Sequence, residues 1–222
     1  MDWLNIWQNK GKSSDFLIQT GRSNSFNFNK FLLFMQDISH TLNLQKTDTV
    51  LDIGGASGWI SLWILPFVKS VTMFDYSEEM IIKAQKQVAG FDNITVFQDD
   101  ILSMTKVNGK FNKVLVGSVL QYLDSMDEVK TAMQNTYNVM VHGGICLCTH
   151  NPDTQRKEAH LKTYEGMENV DEALKIEEER LWLDSDEVCI IAAKIGFKSY
   201  WKTPINPLIW QSTHMFDFVA IK

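Results

Sequence analysis

Val50-Leu51-Asp52-Ile53-Gly54-Gly55-Ala56-Ser57-Gly58-Trp59 is the stretch on which the reading of this chain turns. An apolar run of strand length enters a turn almost devoid of side chains and leaves it as a helix, the junction of a βα unit. Such a turn lets a ligand touch the backbone, and the unpaired N–H groups at the start of the next helix face polar ligand atoms. A dinucleotide fingerprint G-x-G-x-x-G beginning at Gly54 would need glycine at Ala56 and a small residue at Trp59, and the indole argues against it.

Outward from this turn, short apolar runs alternate with helical patterns from about Asp48 onward, which predicts a parallel sheet with helices on both faces. Strands are expected at 49–53, 70–74, 94–97, 113–116 and 144–149. Helices are expected at 59–67, as a buried helix, and at 78–89, 126–140 and 186–195, with another at 28–41 before the core. Asp124 or Ser125 suits the N-cap of the third of these, and Gly196 stops the fourth. The closing runs 197–202 and 215–221 flank a segment holding Pro204 and Pro207 that is too short for a crossover helix, so they are expected to pair antiparallel. The expected fold is α/β and Rossmann-like, a seven-stranded, mostly parallel sheet ending in an antiparallel C-terminal strand pair.

The spacing Asp52, Gly54, Ala56, Gly58 resembles the first motif of the class I S-adenosylmethionine-dependent methyltransferases of small-molecule type. Ala56 departs from the family's usual central glycine by one methyl group. The resemblance continues in Met73-Phe74-Asp75-Tyr76-Ser77, where it implies that Asp75 binds the two ribose hydroxyls with Tyr76 beside it. A carboxylate can accept both hydrogen bonds of a diol, and Ser77 serves equally well as the cap of the next helix, leaving Asp75 for the ligand. In Gln98-Asp99-Asp100-Ile101 the resemblance implies an acidic acceptor for the adenine amino group, Asp100 with Asp99 adjoining, and a backbone N–H from Ile101. Gly117-Ser118-Val119-Leu120-Gln121-Tyr122-Leu123 is similar to the family's loop beneath the sulfonium, with Gly117 and Ser118 on the cofactor side. Many members have histidine where this chain has Gln121, so Gln121 and Tyr122 remain as the polar groups near the reacting centre. Together the matches cover residues 48–222 and imply S-adenosyl-L-methionine as cofactor.

In related small-molecule enzymes the segment before the first strand folds over the cofactor, which places Arg22 to pair with the methionine carboxylate; a surface arginine is the equal alternative. Methyl transfer is an in-line displacement, so a base is needed only for an acceptor such as a hydroxyl, and His150 at the end of the fifth strand is the best-placed histidine. A hydrogen-bonded structural histidine is the competing reading there. His40, His142, His160 and His214 rank lower.

At 222 residues and 45% hydrophobic content the chain fits one domain. The expected division is an aromatic-rich helical lid at 1–45, a cofactor-binding core at 46–222, and a substrate-lid insertion at 152–181 whose run Glu177-Glu178-Glu179 reads as a solvated helix face. With 21 basic against 27 acidic residues and no basic block, charge disfavours nucleic acid as a partner. The apolar run 59–68 is about half a membrane span and contains Pro66, so no membrane partner is expected. The first residues lack a secretory pattern, so the cytoplasm is the expected compartment. Cys146, Cys148 and Cys189 form neither a disulfide framework nor a metal set. The expected activity is methyl transfer to a small molecule, as O-methylation of a sugar or natural product. The alternatives are a cofactor-holding partner protein without catalysis and a nucleotide-dependent oxidoreductase.

Overall fold

The computed structural model describes residues 1–20 and 27–222. Three helices, α1 (Trp3–Lys12), α2 (Phe16–Gln19) and α3 (Phe28–Leu42), precede β1 (Thr49–Ile53), α4 (Trp59–Ile64), β2 (Ser70–Asp75), α5 (Glu78–Gln87) and β3 (Ile94–Gln98). The chain continues through β4 (Phe111–Gly117), α6 (Met126–Val139) and β5 (Met140–Pro152). Then come α7 (Lys157–Lys162), α8 (Asp171–Glu179), α9 (Ser185–Ile195), β6 (Ser199–Thr203) and β7 (Met215–Ile221). The strands form one seven-stranded sheet in the order β3-β2-β1-β4-β5-β7-β6. Only β7 runs against its neighbours, pairing antiparallel with both β5 and β6, as the short prolyl connection requires.

Chain direction across the sheet reverses between β1 and β4, and the crevice outside the carboxyl ends of those strands is where open α/β sheets receive ligands. Alternating strand residues feed two apolar layers. Val114, Val116, Cys146, Cys148 and Phe218 pack under α6 and α9 through Val129, Ala132, Val188 and Ala192. On the other face Leu115, Leu147 and Val219 meet Phe31, Phe34, Met35 and Ile38 of α3. The segment 1–45 is therefore divided by the sheet itself: α3 covers it as a core helix, while α1 lies elsewhere, against α5, so closely that a Cβ on Gly11 would stand 2.8 Å from Glu79 Cβ.

The helix after the glycine turn is shorter and less buried than the sequence suggests. It gives way to a 3-10 turn at Leu65–Phe67, and Trp59, Trp63 and Phe67 are exposed, because the buried face of this segment is the Ile60, Ser61, Ile64 and Leu65 stripe. Strand β5 starts earlier than expected, at Met140 opposite Phe111, and slips register before Ile145 pairs with Lys113. A second irregularity lies at its far end. Cys148 pairs with Phe218 and Asn151 with Phe216, so β5 carries one extra residue there, and His150 adopts a left-handed φ of 54° within this bulge.

Candidate active site

The glycine turn is shaped from below. Gly54 has φ +69°, and a Cβ there would lie 2.2 Å from Val119 Cγ2, while one on Gly55 would lie 2.6 Å from Met73 Cγ. Both positions exclude side chains through packing against the protein as well as through access for a ligand. The N–H groups of Gly54 and Gly55 both donate to the Phe74 carbonyl, at 2.9 and 3.2 Å, stitching the turn to β2. Ala56 takes φ +50° despite its Cβ. Its N–H donates to Asp75 Oδ2 at 3.0 Å, which holds the unfavourable conformation in place.

Asp75, the last residue of β2, is only 5% accessible, and its carboxylate already accepts from Ala56 N–H and, at 2.9 Å, from Ser77 N–H. Burial pushes this carboxyl up to about 6, against the pull of the Ser77 and Ala56 amides. A carboxylate has further lone pairs beyond these two bonds, and the residue borders the cavity. Asp52 lies behind the turn, wholly buried and off the cavity lining, accepting from Ser61 Oγ at 2.6 Å. Burial raises it to about 6 as well. Gly58 also lies off the lining and supplies the left-handed N-cap of α4.

The cavity beyond the turn measures about 440 Å³, within the range of small-molecule sites. Gly54, Gly55, Ala56, Asp75, Tyr76, Asp99, Asp100 and Ile101 border one end, and Gly117, Ser118, Gln121, Tyr122 and His150 border the floor and the other end. These expected site residues are brought together. Arg22 lies outside the described residues. Burial pushes the Tyr76 phenol up, and its oxygen is buried with no hydrogen-bond partner among the described residues. The two adjacent aspartates divide their tasks. Asp99 is buried and knots its own loop, accepting from the N–H groups of Asp100, Thr105 and Lys106 at 2.9, 3.2 and 2.8 Å. Asp100 is exposed and borders the cavity, with Oδ1 taking the Leu102 N–H at 2.8 Å.

At the far end, Trp3 and Trp7 of α1 pack their rings 4.9 and 5.4 Å from Tyr122, so α1 roofs the loop after β4. Gln121 does not point freely at a reacting centre. Its Nε2 donates to Ser118 O at 3.2 Å, and its Oε1 accepts from Arg180 Nη1 at 2.9 Å. Arg180 in turn pairs with Glu177 Oε1. Glu177 is buried, which overturns the solvated-face reading at that position: α8 turns this carboxylate inward while Glu178 faces solvent. His150 is buried within its bulge, its N–H donating to Asp217 Oδ1 at 2.7 Å and its ring stacked on Phe34 at 4.5 Å.

Sequence reasoning missed Lys10, Glu177 and Arg180 at this end. Lys10 borders the cavity with its ammonium 4.5 Å from the Trp7 ring centroid, and burial, then Arg180, lowers it to about 8. A basic residue one helical turn from Trp7 on an otherwise aromatic face was the available signal. No metal set was expected from cysteine spacing or a local histidine motif. The fold nevertheless gathers His160, Glu177 and His214 from three elements into one buried cluster. Burial, then the His160 ring, lowers His214 to about 3.

Comparison with known proteins fits this architecture. Residues 50–144 match the family model described as a methyltransferase domain. Over this segment the chain is similar to methyltransferase domains. Over 146 residues, 64% of the chain, it is 25% identical to the demethylmenaquinone methyltransferase of Staphylococcus epidermidis, covering 57% of that protein. The chain spans about half the length of the curated relatives it matches first. Among solved structures, the N-methyltransferase NodS of Bradyrhizobium japonicum WM9, with S-adenosyl-L-homocysteine, aligns over 99% of this chain and 97% of its own at 16% identity, TM-score 0.68. Phosphoethanolamine N-methyltransferase 1 of Haemonchus contortus, with phosphoethanolamine and S-adenosylhomocysteine, aligns over 99% of this chain and 48% of its own, at 16% identity and TM-score 0.75. At these identities the likeness is one of fold. The matched segment holds the glycine turn, Asp75, Asp99 and Asp100, and the loop after β4, whereas Lys10, His150 and Arg180 fall outside it. No helix among the described residues is long and apolar enough to cross a membrane.

Proposed function

We propose that this protein transfers a methyl group from S-adenosyl-L-methionine to a small-molecule acceptor, with a hydroxyl of a sugar or natural product as the reacting group. The observation that carries the reading is Asp75, a carboxylate fixed by two backbone amides beside the glycine turn, bordering a cavity of about 440 Å³. Its remaining lone pairs fit a ribose diol, and the partnerless Tyr76 oxygen beside it fits a polar ligand edge. The solved relatives that hold S-adenosylhomocysteine share this fold.

In this assignment Asp75 takes the ribose, Asp100 the adenine amino group and the Ile101 N–H an adenine nitrogen. Asp99 shapes the loop that presents them, and Asp52 and Gly58 support the turn from behind. Gly54, Gly55, Ala56, Gly117 and Ser118 keep the backbone close to the methionine portion, and Arg22 is the cation for its carboxylate. The cofactor supplies an activated methyl group on a sulfonium. The chain has to align an acceptor with it and exclude water, and positioning of this kind is worth up to about 7–11 kcal/mol. Trp3, Trp7 and Tyr122 close the site from above. Tyr122 and Gln121 orient the acceptor, Gln121 being itself fixed by Arg180, and His150 at the β5 bulge is the group to take a hydroxyl proton. The aromatic roof favours a small acceptor over a polymer, and the cytoplasm is the compartment in which free thiols at Cys146 and Cys148 persist.

Isothermal calorimetry with S-adenosylhomocysteine, followed by an acceptor screen with labelled methyl donor, tests the reading. Micromolar binding with turnover of a hydroxylated small molecule is expected. Binding without transfer to any acceptor would leave a cofactor-holding partner protein, and binding of NAD in its place would overturn the cofactor.

A further inference from the structure

His160 of α7, Glu177 of α8 and His214, which follows the 3-10 turn Trp210–Thr213, are 5%, 5% and 0% exposed. One ligand atom from each lies within 4.8 Å of the others. His160 Nε2 stands 3.3 Å from Glu177 Oε2, and the two imidazole rings stack at 3.7 Å. The Nε2 atoms of both histidines and Oε2 of Glu177 are buried with no hydrogen-bond partner among the described residues. Three polar atoms left unpaired in one spot are costly, since each forfeits hydration without replacement. A single hydrogen bond between His160 and Glu177 would satisfy two of them and leave His214 Nε2.

The supporting groups point the same way. Thr213 Oγ1 lies 2.9 Å from His214 Nδ1, which fixes that ring with Nε2 turned into the cluster. Arg180 holds Glu177 Oε1, leaving Oε2 as the atom toward the histidines. Trp182 Nε1 donates to the Glu177 carbonyl at 2.8 Å and anchors the end of α8.

We propose that His160, Glu177 and His214 form a binding site for one divalent first-row transition ion at the acceptor end of the cavity. Two imidazoles and one carboxylate suit zinc or iron(II), whereas magnesium and calcium favour oxygen donors throughout. Metal–ligand bonds of about 2.0–2.2 Å place ligand atoms roughly 3–3.5 Å apart, so the cluster has to contract by little more than about 1 Å. The rings, now 17° from parallel, have to tilt so that their Nε2 lone pairs converge. Three protein ligands leave a coordination position open. Glu177 itself borders the cavity, as do Trp210, Gln211 and Met215, while His160 and His214 stand behind the lining, so an oxygen donor of the acceptor reaches the open position past Glu177. That last clause rests on the proposed methyl transfer. The ion site does not.

The test uses the full chain, stripped with a chelator and titrated with Co²⁺ alone and then Zn²⁺. One equivalent of Co²⁺ should bind with visible bands of low-symmetry coordination, and Zn²⁺ should displace it. His214→Ala and Glu177→Gln should each weaken binding by more than the roughly 10- to 100-fold that follows loss of a supporting partner, while His142→Ala should leave it unchanged. In the wild type, Co²⁺ should shift the ring resonances of His160 and His214, a readout that needs no variant to fold. Absence of one-equivalent uptake, or uptake without shifts at these two rings, would overturn the site. S-adenosylhomocysteine binding is measured on the same samples: ion uptake without it would sink the methyl-transfer reading and leave the ion site, and the reverse result would do the opposite.

Discussion

Residues 54 to 101 build one end of the cavity from the tips of three adjacent parallel strands, taken in chain order. The other end draws on Lys10, Tyr122, His150, Glu177 and Arg180, contributed by α1, the loop after β4, the β5 bulge and α8 with its end. The first end is made of backbone and buried carboxylates, with Asp75 caught between two amides. The second is made of aromatic rings and cations tied into a chain running Ser118, Gln121, Arg180, Glu177. A site that binds one invariant ligand can be assembled from strand ends whose positions the sheet dictates. A site for a variable ligand is assembled from appended helices that can be exchanged without disturbing the sheet.

Gly54→Val is the hardest blow to the first end. The left-handed φ costs a branched residue about 1–3 kcal/mol, and the Val119 side chain has to yield as well, adding roughly 1–3 kcal/mol of overpacking. Loss of S-adenosylhomocysteine binding together with a lower melting temperature is expected. Wild-type affinity in calorimetry would show that the turn is not where the two ends meet the cofactor.

Asp75→Asn should lower that affinity by ten- to a few hundredfold, since hydrogen bonds to a charged group contribute about 1.5–3 kcal/mol each. It should also destabilise the unliganded protein by about 1–3 kcal/mol, because Ala56 or Ser77 N–H loses its acceptor. The pH dependence carries a sign of its own. Asp52 and Asp75 stand at about 6 in the folded state, above the ordinary 3.8, so their contribution to stability is full below that lower value and lost as pH rises through about 6. Acidification from pH 7.5 to 5 should therefore strengthen the unliganded fold through these two groups, yet weaken cofactor binding about tenfold by protonating Asp75. Affinity and stability moving together across that window would remove Asp75 from the ribose.

Hydrogen exchange sharpens the contrast at the second end. On adding S-adenosylhomocysteine, amides of α1 should slow, because Trp7 and Lys10 border the cavity, while those of α3 should be equally protected with and without ligand. Equal protection of α1 in both states would make it an ordinary packed extension. The smallest expected effect is that of Ala56→Gly, which relieves the left-handed strain at φ +50° but adds chain entropy. A net gain of about 0.5–1 kcal/mol, or about 2 °C in melting temperature by calorimetry, should result.

The sheet was legible because strand and helix periods, the glycine turn and the prolyl connection before β7 are local signals, and pairing follows from connection length. The cavity end proposed for the cofactor could be read for the same reason, each residue lying at or just after a strand end. Local pattern did not show the neighbourhood of Asp75, whose burial depends on the Ala56 amide folding back onto it from the turn after β1. It also misjudged Glu177, one of three consecutive glutamates, because only the placement of α8 over the cavity decides which of them turns inward. The segment 1–45 shows the same limit: its aromatics announce burial, but whether a helix covers the sheet, as α3 does, or the cavity, as α1 does, is a matter of long-range packing. His160, Glu177 and His214 share no spacing that a local motif could encode. The amino-acid sequence by itself determined the α/β sheet and the residues proposed to hold the cofactor, which lie in contiguous backbone; tertiary structure alone decided the proposed acceptor end, where side chains from distant elements are juxtaposed only after the sheet has formed.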